Sequence, residues 1–166
     1  MGAIAQVVDP VLSALAESFD LRWRDYRLSA RLPPNAGGRP VPVRVTISAK
    51  VPFVLLRVLW SSTRDYDGGI VTMDARTREA TFIDQPIPLD AFGRPGSGGG
   101  GEDGAVPPAW FFGNEEITID LDRLINVDPA EVYPGSAEDS IVTIVLRGVE
   151  AWPKGSLFKA LTADAG

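Results

Sequence analysis

The sequence predicts an all-β fold, an antiparallel β-sandwich or its jelly-roll variant, with short helices at the periphery. Three observations carry this expectation. The first is the stretch from Val41 to Ser62. Val41, Val43, Val45, Ile47 and Ala49 alternate with Pro42, Arg44, Thr46, Ser48 and Lys50, and a period of two sends one row to the core and the other to water. Beyond Pro52 only Arg57 interrupts Phe53, Val54, Leu55, Leu56, Val58, Leu59 and Trp60. A run of that length suits a strand covered on both faces or a buried helix, and the β-branched neighbours with the flanking Pro52 and Ser61-Ser62 favour the strand. The second observation is the 17 glycines and 14 prolines among 166 residues, which favour many short strands joined by turns. The third is the absence of regular β-α alternation and of any internal repeat, which argues against a parallel sheet. A chain of this length buries roughly 70% of its unfolded surface, so residues 1–166 are read as one domain.

Residues 1–19 form an N-terminal helical segment in this reading. Asp9 can cap the free amides and Pro10 suits the first helical position, and Val11, Leu12, Leu15 and Phe19 share a face. The helix is expected to pack on the sheet edge or to dock on a neighbouring subunit. Asp20 to Leu32 reads as the first strand, with a change of phase. Leu21 and Trp23 have one parity, while Tyr26, Leu28, Ala30 and Leu32 have the other. A bulge near Arg24-Asp25 is predicted to reconcile them, because one inserted residue switches the face of all that follow.

Pro33 to Gly38 is a loop on composition, and Thr63 to Gly69 a turn. Ile70 to Ala75 and Glu79 to Ile83 are expected to pair as a hairpin closed by Arg76-Thr77-Arg78. Residues 85–108 lack periodicity and read as a long Pro/Gly-rich loop or arm, its Gly-rich part spanning Gly93 to Gly104. No Lys-Ser/Thr follows those glycines, so they do not form a phosphate loop. After Trp110-Phe111-Phe112, Ile117, Ile119 and Leu121 are expected to point in, and Thr118, Asp120 and Asp122 out. Asp128-Pro129 signals a helical turn to Val132, and Pro134-Gly135 a turn. Ser140 to Val149 is the last strong strand, ended by Trp152-Pro153, and Ser156 to Leu161 a small terminal helix.

The chain has no His and no Cys. That removes the usual zinc sites, the Ser-His-Asp triad, cysteine nucleophiles and the commonest general base near neutral pH. Carboxylates remain, and Glu115, Glu116, Asp120 and Asp122 are the candidate acids. A glycosidase would need two of them flanking a cleft, whereas an acidic strand also serves to discourage edge-to-edge pairing. Asp65-Tyr66-Asp67-Gly68-Gly69 resembles the start of a calcium loop but lacks the remaining ligand spacing. No cofactor is expected.

The net charge of −6 divides into +5 for residues 1–64 and −11 for residues 65–166. Either the protomer is bipolar, or the two halves interleave in one sandwich and the charges mix. An acidic chain without a basic cluster argues against nucleic-acid binding. No apolar run reaches membrane-spanning length, the first residues lack the pattern of a signal peptide, and Gln6 breaks the myristoylation pattern. The expectation is a soluble protein with no membrane partner, in the cytoplasm or in a particle.

Three adjacent aromatics cannot all point inward from one strand. Trp110, Phe111 and Phe112, together with Val11, Leu12, Leu15 and Phe19, are therefore the candidate interface residues. The leading functional expectation is a non-enzymatic, self-assembling structural protein, such as a capsid, decoration or tail component of a virus or phage. Its partners would be itself or other particle subunits. The alternatives are a ligand-binding module of carbohydrate type, with Trp23, Trp60, Trp110 or Trp152 stacking on sugar, and a carboxylate-dependent hydrolase.

Overall fold

The computed structural model describes residues 10–33, 39–48, 50–64, 67–78, 80–93, 105–123 and 139–163. Among these residues there are eight strands: β1 (Phe19–Leu32), β2 (Val41–Thr46), β3 (Phe53–Ser62), β4 (Val71–Arg76), β5 (Thr81–Pro88), β6 (Ala105–Phe111), β7 (Glu116–Arg123) and β8 (Ser140–Pro153). They form two four-stranded antiparallel sheets, in the orders β1-β8-β3-β6 and β2-β7-β4-β5. The chain changes sheet between successive strands everywhere except the β4–β5 hairpin. This is the jelly-roll winding, so the predicted β-sandwich takes its jelly-roll form. Helices α1 (Pro10–Ser18), α2 (Asp67–Ile70) and α3 (Ser156–Ala163) and a 3-10 turn at Leu89–Ala91 complete the described elements.

The core lies between the sheets and follows the alternation in the sequence. Leu28 and Leu32 of β1, Phe53, Leu55, Val58 and Trp60 of β3, and Ile144 and Leu146 of β8 meet Met73, Ile117, Ile119 and Leu121 from the second sheet. Burial of large side chains such as Phe53 and Trp60 stabilises the fold by about 1.5–3 kcal/mol each. In β7 the burial alternates strictly from Glu116 to Arg123, as expected.

The phase change in β1 has a different origin from the predicted bulge. β1 pairs with β8 residue for residue, from Phe19 opposite Pro153 to Leu32 opposite Ser140, with no shift of register. Both strands have 14 residues, whereas β2 and β4 have six. The long strands therefore outrun the second sheet, and from Tyr26 onward the apolar row faces that sheet. Before it, Leu21 faces the opposite side, where α1 covers it. α1 accordingly lies on the outer face of the first sheet, not on its edge, with Val11, Leu12 and Leu15 against Leu21, Val54, Leu56 and Val149. A bulge does occur, but in β3, where the register with both neighbours shifts between Leu55 and Arg57. It keeps Leu55 and Val58 in the core and puts Leu56 in the outer cluster under α1.

Residues 85–93 and 105–108 are more structured than their composition suggests. β5 continues through Pro88, the 3-10 turn follows, and the Gly93 carbonyl accepts the Trp60 amide at 2.9 Å. β6 then begins at Ala105. β5 and β6 are both edge strands, where a proline without an N–H leaves no ladder bond unmade. Residues 94–104, with most of the predicted Gly-rich arm, lie outside the described residues, as do the helical turn predicted at 129–132 and residues 1–9. The β4–β5 hairpin is closed by the Thr77 amide donating to the Ala80 carbonyl at 2.7 Å.

Candidate functional site

The candidate interface residues divide by strand parity. Val54 pairs with Trp110 and Phe53 with Phe111, so Trp110 faces outward and Phe111 inward. Phe111 is 3% exposed and packs against Phe53 and Phe82 with ring centroids 6.5 and 5.2 Å apart. It belongs to the core, which corrects its assignment to a surface. Trp110 is 43% exposed and meets the edge of Phe19 at 6.0 Å, and Phe112 is 58% exposed. The structure thus brings Val11, Leu12, Leu15, Phe19 and Trp110 together on the outer side of the first sheet.

A row of paired residues crosses that sheet as Trp23, Val149, Val54 and Trp110. α1 covers the two central valines and leaves the tryptophans at the two ends of the row. Trp23 is 55% exposed and, with Leu12, Ala16, Leu21 and Val149, lines a groove along α1. A second groove between α1 and α3 is lined by Phe19, Leu21, Leu157 and Leu161, and Lys154 Nζ closes on the Ala16 carbonyl at 2.7 Å.

The next row is polar, with Asp25, Arg147 and Arg57 side by side. Arg147 grips Asp25 with both arms of a fork, Nε to Oδ1 at 3.0 Å and Nη2 to Oδ2 at 2.9 Å. This bond holds the Asp25 carboxyl below its ordinary range despite partial burial, and Arg27 adds to the effect. These residues border a shallow cleft of about 480 Å³, lined by Trp23, Arg24, Asp25, Arg57 and Arg147. Sequence reading missed it because Asp25 and Arg147 lie 122 residues apart. The one legible signal was that Trp23, Asp25 and Arg27 share a parity opposite to the core row.

The candidate acids fall in two places, Glu115 and Glu116 at the start of β7 and Asp120 and Asp122 together on its outward face. Glu115 accepts the Phe112 amide at 2.5 Å and holds the turn before β7, in which Asn114 has φ 69°. Glu116 lies 4.0 Å from Arg44. Asp120 is paired with Arg76 and sits directly across from Asp74. Burial, with Asp120 second, raises the Asp74 carboxyl above its ordinary range. Asp67 is fully buried, and Arg123 Nη1 reaches its Oδ1 at 2.9 Å while Ser62 donates to Oδ2 at 2.6 Å. Its carboxylate is thus committed to an ion pair, not to calcium. Among the described residues no group of three acidic, His or Cys side chains is placed to hold a metal ion.

The two charge halves interleave, since residues 1–64 supply β1 and β3 to one sheet and β2 to the other. No helix among the described residues is long and apolar enough to cross a membrane. Comparison with protein-family models, curated proteins and solved structures finds no match.

Proposed function

We propose that this chain is a non-enzymatic structural protein that assembles with copies of itself or with other subunits of a particle. One observation carries the reading. Two exposed tryptophans, Trp23 and Trp110, stand at the two ends of one row across the outer face of the first sheet, flanking the apolar face of α1. Trp23, Trp110 and Ile141 belong to the first sheet, Phe112 to the turn leaving it, and Leu161 to α3 beside α1. Exposed apolar patches mark interaction sites in soluble proteins, and aromatic anchors such as these tryptophans dominate association energies. A lack of histidine and cysteine, with Glu115, Glu116 and Asp120 each beside a local partner, favours the non-enzymatic side of the reading. Jelly rolls build virus capsids as well as lectin domains. The extension to a virus or phage particle rests on that likeness of architecture alone.

Light scattering on a sizing column, across concentrations and ionic strengths, tests this reading. The expected result is an oligomer or particle whose mass falls in Trp110→Ala/Phe112→Ala while the melting temperature stays within a few degrees. A wild-type monomer at every concentration and salt would overturn self-assembly.

A further inference from the structure

We propose that the outer edge of β1 pairs with β1 of a second copy, antiparallel and about a two-fold axis at Tyr26, joining two first sheets into one. The inference rests on the assembly reading and deepens it, since it names the strand through which copies meet. The edge strands are not alike. β2 carries Pro42, β5 carries Pro86 and Pro88, and β6 carries Pro107 and Pro108. Proline has no N–H to offer a further strand and is a common guard on a sheet edge. β1 has no proline in its 14 residues. Among the described residues its backbone ladder is with β8 alone. Alternate residues of β1 therefore turn N–H and C=O groups away from the sheet.

The guard that β1 does have is charge, in Asp20, Arg22, Arg24, Asp25, Arg27 and Arg31. That guard selects a register. In a two-fold antiparallel pair each residue faces one of its own parity, so the core rows of both copies stay on one side. Like charges directly opposite destabilise a sheet. An axis at Arg24, Asp25 or Arg27 sets that residue against its own charge, and one at Trp23 sets Arg22 against Arg24. An axis at Tyr26 places Asp25 opposite Arg27 twice, Trp23 opposite Ser29 and Leu21 opposite Arg31. It leaves no like pair from Asp20 to Leu32. An axis at Leu28 also avoids like pairs but engages only Arg24 to Leu32. Arg147 takes one bond from each oxygen of Asp25. A carboxylate has about four acceptor sites, so room remains for Arg27 of the second copy. β2 runs beneath β1, and its half-buried Val41, Val43 and Val45 gain cover from the second copy at this side.

The chain has no cysteine, so a nitroxide on Ser29→Cys reports the register in the full-length protein. Position 29 lies opposite Trp23 of the second copy, and pulsed electron resonance should place the two labelled Cα atoms about 20 Å apart. In light scattering, Arg27→Glu should weaken association about tenfold, because it sets acid against acid at two places. Asp25→Arg should weaken it similarly by setting cation against cation. An equimolar mixture of these two variants should associate as wild type does, since every charge then meets its opposite. Arg44→Glu on the second sheet should leave association unchanged. A Cα separation near 8 Å, as the Leu28 axis requires, or beyond about 30 Å would overturn the proposal. So would undiminished association of Arg27→Glu, or a mixture no tighter than either variant alone. Should Asp25→Arg fail to fold without its Arg147 fork, the nitroxide distance and Arg27→Glu decide. Association that is lost in Trp110→Ala/Phe112→Ala but indifferent to Arg27→Glu would refute the β1 seam and leave assembly standing. A wild-type monomer throughout would refute both.

Discussion

Replacing Arg123 by Met should be among the most damaging single changes this fold can suffer. Arg123 projects from β7 into the interior with its side chain 2% exposed, facing an Asp67 carboxylate that is 0% exposed. Besides Asp67, its Nη2 donates to Ser140 Oγ at 2.7 Å and its Nε to the Pro33 carbonyl at 3.1 Å. One guanidinium thereby joins the second sheet to the start of β8, the end of β1 and helix α2. Methionine fills much of the volume but leaves the Asp67 charge buried, with the Ser62 hydroxyl still donating to its Oδ2. Breaking a buried pair from one side costs about 3–5 kcal/mol. For a chain of this size that corresponds to a fall of about 6–20 °C in melting temperature. The double variant Arg123→Met/Asp67→Leu removes both charges, and should recover a large part of the loss. Urea unfolding of the two single variants and the double closes a double-mutant cycle. Single losses below about 1 kcal/mol, or losses that simply add, would refute the view that this pair acts as a buried unit.

The aromatic triplet should split on mutation. Phe111→Ala is expected to cost about 3–5 kcal/mol, and Phe112→Ala within about 0.5 kcal/mol, both read from denaturant midpoints. Gly148→Ala should destabilise by about 1–3 kcal/mol, because a Cβ there would stand 2.0 Å from the Val54 carbonyl oxygen and 2.8 Å from Phe53. A midpoint equal to wild type would mean that β3 and β8 are less closely apposed. Asp74 supplies a test by pH. Its carboxyl is raised in the folded state, so folding favours the protonated form, and wild-type stability from this group grows as pH falls through the raised value. Asp74→Asn should therefore match or exceed wild type near pH 7, and that advantage should shrink below about pH 4. Melting curves across that window that show the opposite trend would argue against the assignment.

Single-strand features were legible because they depend on side chains a few residues apart. The alternation in β2 and β7, the continuous apolar run of β3 and the short β4–β5 connection all translate directly into the fold. What escaped depends on distant partners. The parity of Leu21 and Trp23 made sense only once α1 was found on the outer face, since nothing local separates a bulge from a second cover. Pro86, Pro88, Pro107 and Pro108 suggested a loop, because edge position is a property of the whole sheet. Similarly, Asp67 read as part of a turn until its partner Arg123, 56 residues further on, was in place. Of the interface residues, the apolar face of α1 was readable from its spacing. The inward turn of Phe111 followed only from its pairing with Phe53.

The winding of the strands has a consequence for how the chain is made. β1 is an edge strand whose ladder partner is β8, and the two are separated by most of the sequence. During synthesis from the N-terminus, β1 and β3 must wait without the strand that lies between them until residues 140–153 have left the ribosome. Until then their backbone donors and acceptors are open to any other extended chain. Folding dominated by such distant pairings is slow, and the waiting nascent chain is exposed to aggregation. A ribosome stalled before Ser140 should therefore carry a protease-sensitive chain, and release of the β8 segment should bring protection to both halves at once.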